Sequence, residues 1–282
     1  MNDVKLLVTS QKGGVGKSTL AANLAAYFSD FKSRRVTLID YDHQATASSW
    51  LLRCQSSTCV TVCDALGYKS AGMGILKAKE ALRVASTTSE VVIADMTWVD
   101  IFPESLFFDY DFIIIPTSLS GIELASAMDF LTRFSRVFNS TNLQAPRVIL
   151  VPNRLLSISN HRDFFNNCQF PVPFSLTSPV LFSKAAQDSF GKNYFFKDTN
   201  QALKTSFLVV CEEIEQLIRE HVLKKEQKKT QTLKGVAMIA RSNGGGLLDK
   251  FVASREMVRE KQEAEKHSAP PLGKKWFAFL QR

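Results

Sequence analysis

Residues 10–19 read SQKGGVGKST: three glycines, two lysines and no acid, set between an apolar run and an alanine-rich one. Gly16, Lys17 and Ser18 fall into register with the second part of the pattern G-x-x-x-x-G-K-[ST], while Gln11 takes the place of its usual first glycine. The chemistry survives that change. Glycines at 13, 14 and 16, with Val15 between them, let successive backbone N–H groups turn inward around phosphate oxygens without a Cβ in the way. The helix beyond the loop presents its positive end to the same anion. Lys17 then reaches the β- and γ-phosphates, and the Ser18 hydroxyl completes the shell of a Mg²⁺ ion. The flanks fit: Val4–Val8 reads as a short buried strand and Leu20–Phe28 as a helix with Leu20, Leu24 and Phe28 on one face.

Four further apolar runs, Val36–Ile39, Val91–Ala94, Phe112–Ile115 and Val148–Val151, recur with helical stretches between them. Each is short, continuous and largely β-branched, which suits strands covered on both faces rather than one face of an antiparallel sheet. The expected architecture is a doubly wound, mostly parallel α/β sheet with helices on both faces. Its ligand belongs at the carboxyl ends of the strands, so the residues just after each run are the candidates for chemistry. After the second run comes DYDHQ, residues 40–44, whose two carboxylates suit Mg²⁺ organisation and the placing of a water. After the third stands Asp95, an aspartate at the end of an apolar strand where a phosphate-loop protein holds Mg²⁺ through water. The fifth ends in VPNRL, with Asn153 and Arg154.

Composition narrows the class. A chain of 282 residues, 45% hydrophobic, can bury a full core, and no apolar stretch approaches the 18 or so residues of a membrane span. The opening MNDVKLL enters a strand almost at once, so no secretory signal is expected. Five cysteines, Cys54, Cys59, Cys63, Cys168 and Cys211, form an odd set without a CxxC pair; they read as reduced and mostly buried, in a cytoplasmic protein. The net charge of +8 is local: residues 222–282 hold 14 Lys/Arg against 6 Asp/Glu, whereas residues 1–221 hold 21 of each.

In the form KGGVGKST the loop resembles that of the ParA/MinD family of P-loop ATPases, whose signature is the earlier lysine, here Lys12. DYDHQ is similar to the family's D-x-D-P-Q, with His43 in place of proline and Gln44 completing the signature. The resemblance covers residues 3–221 and implies ATP as ligand, with Gly13, Gly14, Val15, Gly16, Lys17, Ser18 and Thr19 around the phosphates and metal. It implies that Lys12 crosses an ATP-sandwich homodimer to the partner's phosphates, that Asp42 orients the attacking water, and that Ser18, Asp40 and Asp95 organise Mg²⁺. Asn153 matches a base-reading asparagine; beside it Arg154 is either a neighbour of the base or an exposed structural residue. The family commonly has a proline-rich stretch after the aspartate at 95, where this chain has Met96, Thr97 and Trp98. An iron-protein type reductase shares the loop but needs cluster-ligating cysteines near the dimer axis, and none occurs between residues 64 and 167.

The expected division is an ATPase domain, 1–221, and a basic extension, 222–282. Thr199 to about Lys234 reads as one helix, apolar at Leu203, Phe207, Val210, Ile214, Leu217 and Ile218, ending in KKEQKK. SNGGG, 242–246, is a flexible break, and Leu247–His267 is a charged helical segment. By resemblance, the ATP-bound dimer holds nonspecific DNA over the nucleoid, and a ParB-like activator or cargo adaptor stimulates hydrolysis. A basic tail supplies the means for the first, since neutralised phosphates release counterions; a solvated end is the alternative. The last nine residues, KKWFAFLQR, place Trp276, Phe277, Phe279 and Leu280 on one arc of a helix, as in the membrane-targeting tail of MinD-like proteins. Such an end lies on an anionic membrane surface, which would make the protein a MinD-like membrane-associated positioning ATPase instead, docks in a protein groove, or has no role.

Overall fold

A computed structural model describes residues 3–63, 71–98, 103–141, 145–157 and 161–242 of the chain. Its centre is a parallel sheet of eight strands: β1 Val4–Ser10, β2 Val36–Asp40, β3 Cys59–Val62, β4 Val91–Thr97, β5 Phe112–Thr117, β6 Arg147–Leu155, β7 Phe174–Leu176 and β8 Val180–Leu181. The order is β3-β2-β4-β1-β5-β6-β7, with β8 also paired to β6. All five apolar runs are strands of this sheet. The continuous hydrophobicity has the expected cause. On β1, Leu6 and Val8 enter one buried cluster while Leu7 enters the cluster on the other face. Residues that alternate across a strand must all be apolar when both faces are covered.

The helices are α1 Lys17–Ala26, α2 Thr46–Arg53, α3 Ala71–Thr88, α4 Gly121–Arg133, α5 Ser135–Phe138, α6 His161–Asn167, α7 Lys184–Asp188 and α8 Gln201–Ser242. One buried cluster contains α1, α2 and the inner half of α8, whose Leu203, Phe207, Val210, Ile214 and Ile218 are all buried. The other joins α3, α4 and α5 around a stack of Trp98, Phe107, Phe130, Phe134 and Phe138. β1 lies between β4 and β5, and the chain winds to one side of it through β2 and β4 and later to the other through β5 and β6. That reversal of direction leaves a crevice beyond the carboxyl end of β1, where residues 10–19 sit.

Three differences from expectation have local reasons. α1 begins at Lys17, not Leu20, because its first turn, Lys17-Ser18-Thr19, is polar and carries no apolar period. β3, CVTV, is a half-exposed edge strand too short for a periodic signal. α8 runs on to Ser242, since Lys, Gln, Leu, Met and Ala after the buried half are all good helix formers. The chain divides into two compact units, Met1–Val222 and Leu223–Arg282. The flexible break, apart from Ser242, the charged segment to His267 and the amphipathic end at 274–282 lie outside the described residues. Of the five cysteines, only Cys63 and Cys211 are buried, fewer than expected; Cys59 is exposed.

Candidate functional site

The loop after β1 is built by two left-handed backbone positions, Gly14 at φ +77° and Gly16 at φ +93°. Any residue with a Cβ is strained there. Gly16 has a second reason to be glycine: a Cβ would stand 2.3 Å from Nδ2 of Asn153. Gly13 has neither restriction, and its surroundings are open. The loop's foot is pinned by Ser10, whose hydroxyl donates to the Lys12 carbonyl at 2.8 Å. Its crown is pinned by Asn153 at the end of β6, whose amide donates to the Val15 carbonyl at 2.9 Å. Lys17 opens α1 and is only 7% exposed, while Lys12 sits at the rim, half-buried. One lysine therefore faces inward over the helix N-terminus and the other lies at the edge.

Three carboxylates meet this loop. Asp40, the last residue of β2, and Asp95, which lies within β4 two residues before its end and not after the strand as expected, are directly paired neighbours. Asp40 is fully buried and both oxygens are engaged within the chain: Oδ2 accepts from the backbone N–H and hydroxyl of Ser48, each at 2.9 Å, and Oδ1 from the N–H of Asp42 at 3.1 Å. Burial nonetheless raises its pKa. It thus ties α2 to the strand and sets the course of the Asp42 loop. That loop is tight: Ala45 donates to the Asp42 carbonyl at 3.0 Å and adopts φ +48°, left-handed for a residue with a side chain. Asp42 is half-buried, receiving the N–H of Gln44 on Oδ1 and the hydroxyl of Thr97 on Oδ2. His43 and Gln44 flank it on the same turn, and both are exposed.

Asp95 is the anomaly. It is 1% exposed, and its Oδ2 has no hydrogen-bond partner. Burial pushes its pKa up to about 7; a hydrogen bond from Ser18 and the charge of Lys17 oppose this, and Asp40 and Asp42 reinforce it. A buried, unpaired carboxylate oxygen costs several kcal/mol in order-of-magnitude terms. A hydrated divalent cation would remove that cost, and Ser18 and Asp95 are the donors placed to hold it. Among the described residues no three His, Cys, Asp or Glu side chains form a metal cluster. Mg²⁺ needs only one or two protein oxygens and completes its shell with phosphates and water. The residues present fit a triphosphate with Mg²⁺.

The family model for the CobQ/CobB/MinD/ParA nucleotide binding domain matches residues 6–194. This chain belongs to that family. A stretch of 47 residues is 49% identical to the chromosome-partitioning ATPase Soj of Thermus thermophilus. The chain matches under a fifth of the length of such curated relatives, 18% for Soj and 19% for an uncharacterized Borreliella burgdorferi protein. Among solved structures, a plasmid partition protein of Borrelia burgdorferi bound to AMPPNP superposes with a TM-score of 0.56 at 18% identity, over 80% of this chain and 100% of that one. An ATP complex of a Cyanothece McdA variant gives 0.58 at 17% identity, over 76% and 97%. At such identities the structures establish a shared ParA/MinD-type fold.

In this ParA/MinD-type domain, the structure brings together Lys12, Gly13, Gly14, Val15, Gly16, Lys17, Ser18, Asp40, Asp42, Asp95 and Asn153 at one end of the sheet. Several participants had no sequence signal of their own. Ser48 and Thr97 are ordinary hydroxyl residues until the fold sets them on Asp40 and Asp42. Arg154 shows φ +60° at an irregularity in the β6–β8 pairing and forms an ion pair with Glu123 at the start of α4. Of its two sequence readings, that places it in a structural pair on the rim of the site.

Proposed function

We propose that this protein is a Mg²⁺-dependent ParA-like ATPase that dimerises on ATP, binds nonspecific DNA as the dimer, and positions a cargo with a ParB-like partner stimulating hydrolysis. The observation that supports this most is the orphaned Asp95 oxygen beside Ser18 and the inward Lys17, at the foot of a loop whose shape depends on glycine. Backbone N–H groups from Gly13 to Thr19 surround the phosphates, and Lys17 supplies the positive charge that the transferring phosphoryl group requires. Ser18 and Asp95 hold the metal, with Asp40 behind them fixing the loop that carries Asp42. When bound, Mg²⁺ neutralises charge on the phosphate oxygens. Asp42 orients the attacking water from the loop edge, where its carboxylate is only half-buried. Asn153 supports the loop crown through one amide hydrogen and reads the base with what remains of its amide.

Lys12 is the residue on which dimerisation depends. Its rim position suits a side chain that leaves its own subunit and neutralises the triphosphate of a partner subunit. Two ATP charges bridged from opposite chains make association conditional on nucleotide. Size-exclusion chromatography with ATP tests this: Lys12→Ala is expected to bind ATP yet elute as a monomer where the wild type elutes as a dimer. A Lys12→Ala dimer with unchanged nucleotide dependence would refute it.

A further inference from the structure

The carboxylate of Asp42 is held on one side by its own loop, through the Gln44 N–H at 3.1 Å to Oδ1, and on the other by a different element. That second contact is Thr97, whose hydroxyl donates to Oδ2 at 3.3 Å. The two contacts are not equivalent. Gln44 travels with Asp42, so it fixes the turn and not its place in the molecule. Thr97 ends β4, two residues beyond Asp95, and is paired with Ser10 at the foot of the phosphate loop.

Trp98, the next residue along the chain, holds Thr97 still. Its N–H donates to the Ser10 carbonyl at 3.2 Å, extending the β1–β4 pairing by one step. The indole is buried, stacked 4.1 Å from the ring of Phe107 and edge-on to Phe130 and Phe134. A threonine on so constrained a backbone is held further by its β-branch, which restricts χ1 and with it the place of the hydroxyl oxygen. Its hydroxyl is accordingly a fixed donor, referenced to the same strand pair that places the phosphate loop and Asp95. A carboxylate accepting one hydrogen bond on each oxygen keeps lone pairs for a water.

We propose that Thr97 is a positioning residue for hydrolysis: its hydroxyl locks the Asp42 carboxylate in the orientation from which it addresses the attacking water. This rests on the role of Asp42 proposed for the ATPase. Geometry at a reacting centre is sensitive to small displacements, so loss of this lock lowers turnover and leaves nucleotide affinity intact.

The test is basal MgATP hydrolysis by the full chain, with kcat and KM measured separately and ATP affinity and thermal unfolding recorded for each variant. Thr97→Val, which keeps the shape and removes the donor, is expected to lower kcat about 5- to 10-fold with KM and ATP affinity within about twofold. Thr97→Ser, which restores the donor, is expected to recover turnover to within about twofold of wild type. If Thr97→Val unfolds, Thr97→Ala measured against Thr97→Ser makes the same comparison. Full turnover in Thr97→Val while Asp42→Ala is inactive overturns the proposal alone, as does an equal defect in the valine and serine variants. Wild-type turnover in Asp42→Ala overturns the role of Asp42, and that of Thr97 with it.

Discussion

Two buried carboxylates, Glu215 on α8 and Asp95 near the end of β4, are treated in opposite ways by this fold. Glu215 is 3% exposed and takes Arg34 at 2.7 Å, Arg219 at 2.9 Å, Lys32 at 3.2 Å and the hydroxyl of Tyr27 at 3.5 Å. Burial alone raises its pKa, but the hydrogen bonds of Arg219 and Lys32 and the charges of Lys32 and Arg34 outweigh that and hold it below the ordinary value. Asp95 is buried as deeply with one oxygen unpartnered, and burial wins. The difference separates a structural tie from a carboxylate with an open oxygen. A carboxylate that completes α8 against the turn after α1 is satisfied within the chain. One left unsatisfied at the carboxyl ends of the strands keeps its capacity for a ligand, at a standing cost to the free protein.

The largest effect is expected from Glu215→Gln. It leaves three cations around an uncharged amide and should lower stability by about 3 kcal/mol, read from urea unfolding, with ATP affinity unchanged. A second signature is pH. Since the folded-state value of Glu215 is depressed, its contribution is complete above the usual carboxylate range and is lost as pH falls through the folded value; the variant's acid limb should be correspondingly flatter. A comparable loss of ATP affinity would erase the distinction between the two carboxylates.

Next comes the left-handed turn of the loop at Gly16, against Asn153. Gly16→Ala forces a Cβ onto φ +93° and into the Asn153 amide, and is expected to cost about 2 kcal/mol and most of the ATP affinity, measured by titration calorimetry. Normal binding by this variant would mean that the crown of the loop rearranges freely.

The smallest effect has the opposite sign. Asp95 gains proton affinity on folding, from 3.8 to about 7, so the unliganded protein loses stability as pH rises through that interval. The amide of Asp95→Asn would leave polar atoms unpartnered in the same buried place, which offsets most of the gain from losing the charge, so the variant should be more stable than wild type by about 1 kcal/mol at pH 8, with no gain near pH 4, while Mg²⁺-dependent ATP hydrolysis is lost. A destabilised Asp95→Asn would show that its carboxylate is paired after all, as Glu215 is.

Much of this was legible in the chain. The five central strands announced themselves because a strand covered on both faces must be apolar throughout, and the phosphate loop did so because left-handed backbone over an anion demands glycine at particular positions. Asp40, Asp42 and Asp95 stand out because each follows an apolar run, although β2 takes in Asp40 and β4 runs on past Asp95 to Thr97. Their different environments were not, because hydrogen-bond partners such as Ser48 for Asp40 and Thr97 for Asp42 come from other elements. The edge strand β3 escaped notice since half-exposed positions carry no periodic signal.

The amino-acid order by itself pointed to a doubly wound parallel sheet and to the residues that the fold gathers around the loop after β1, because these follow from local pattern and spacing. Only the tertiary structure decided which carboxylate is satisfied and which is left open. That depends on desolvation and on donors brought from far along the chain, and neither quantity exists until the core has closed around them.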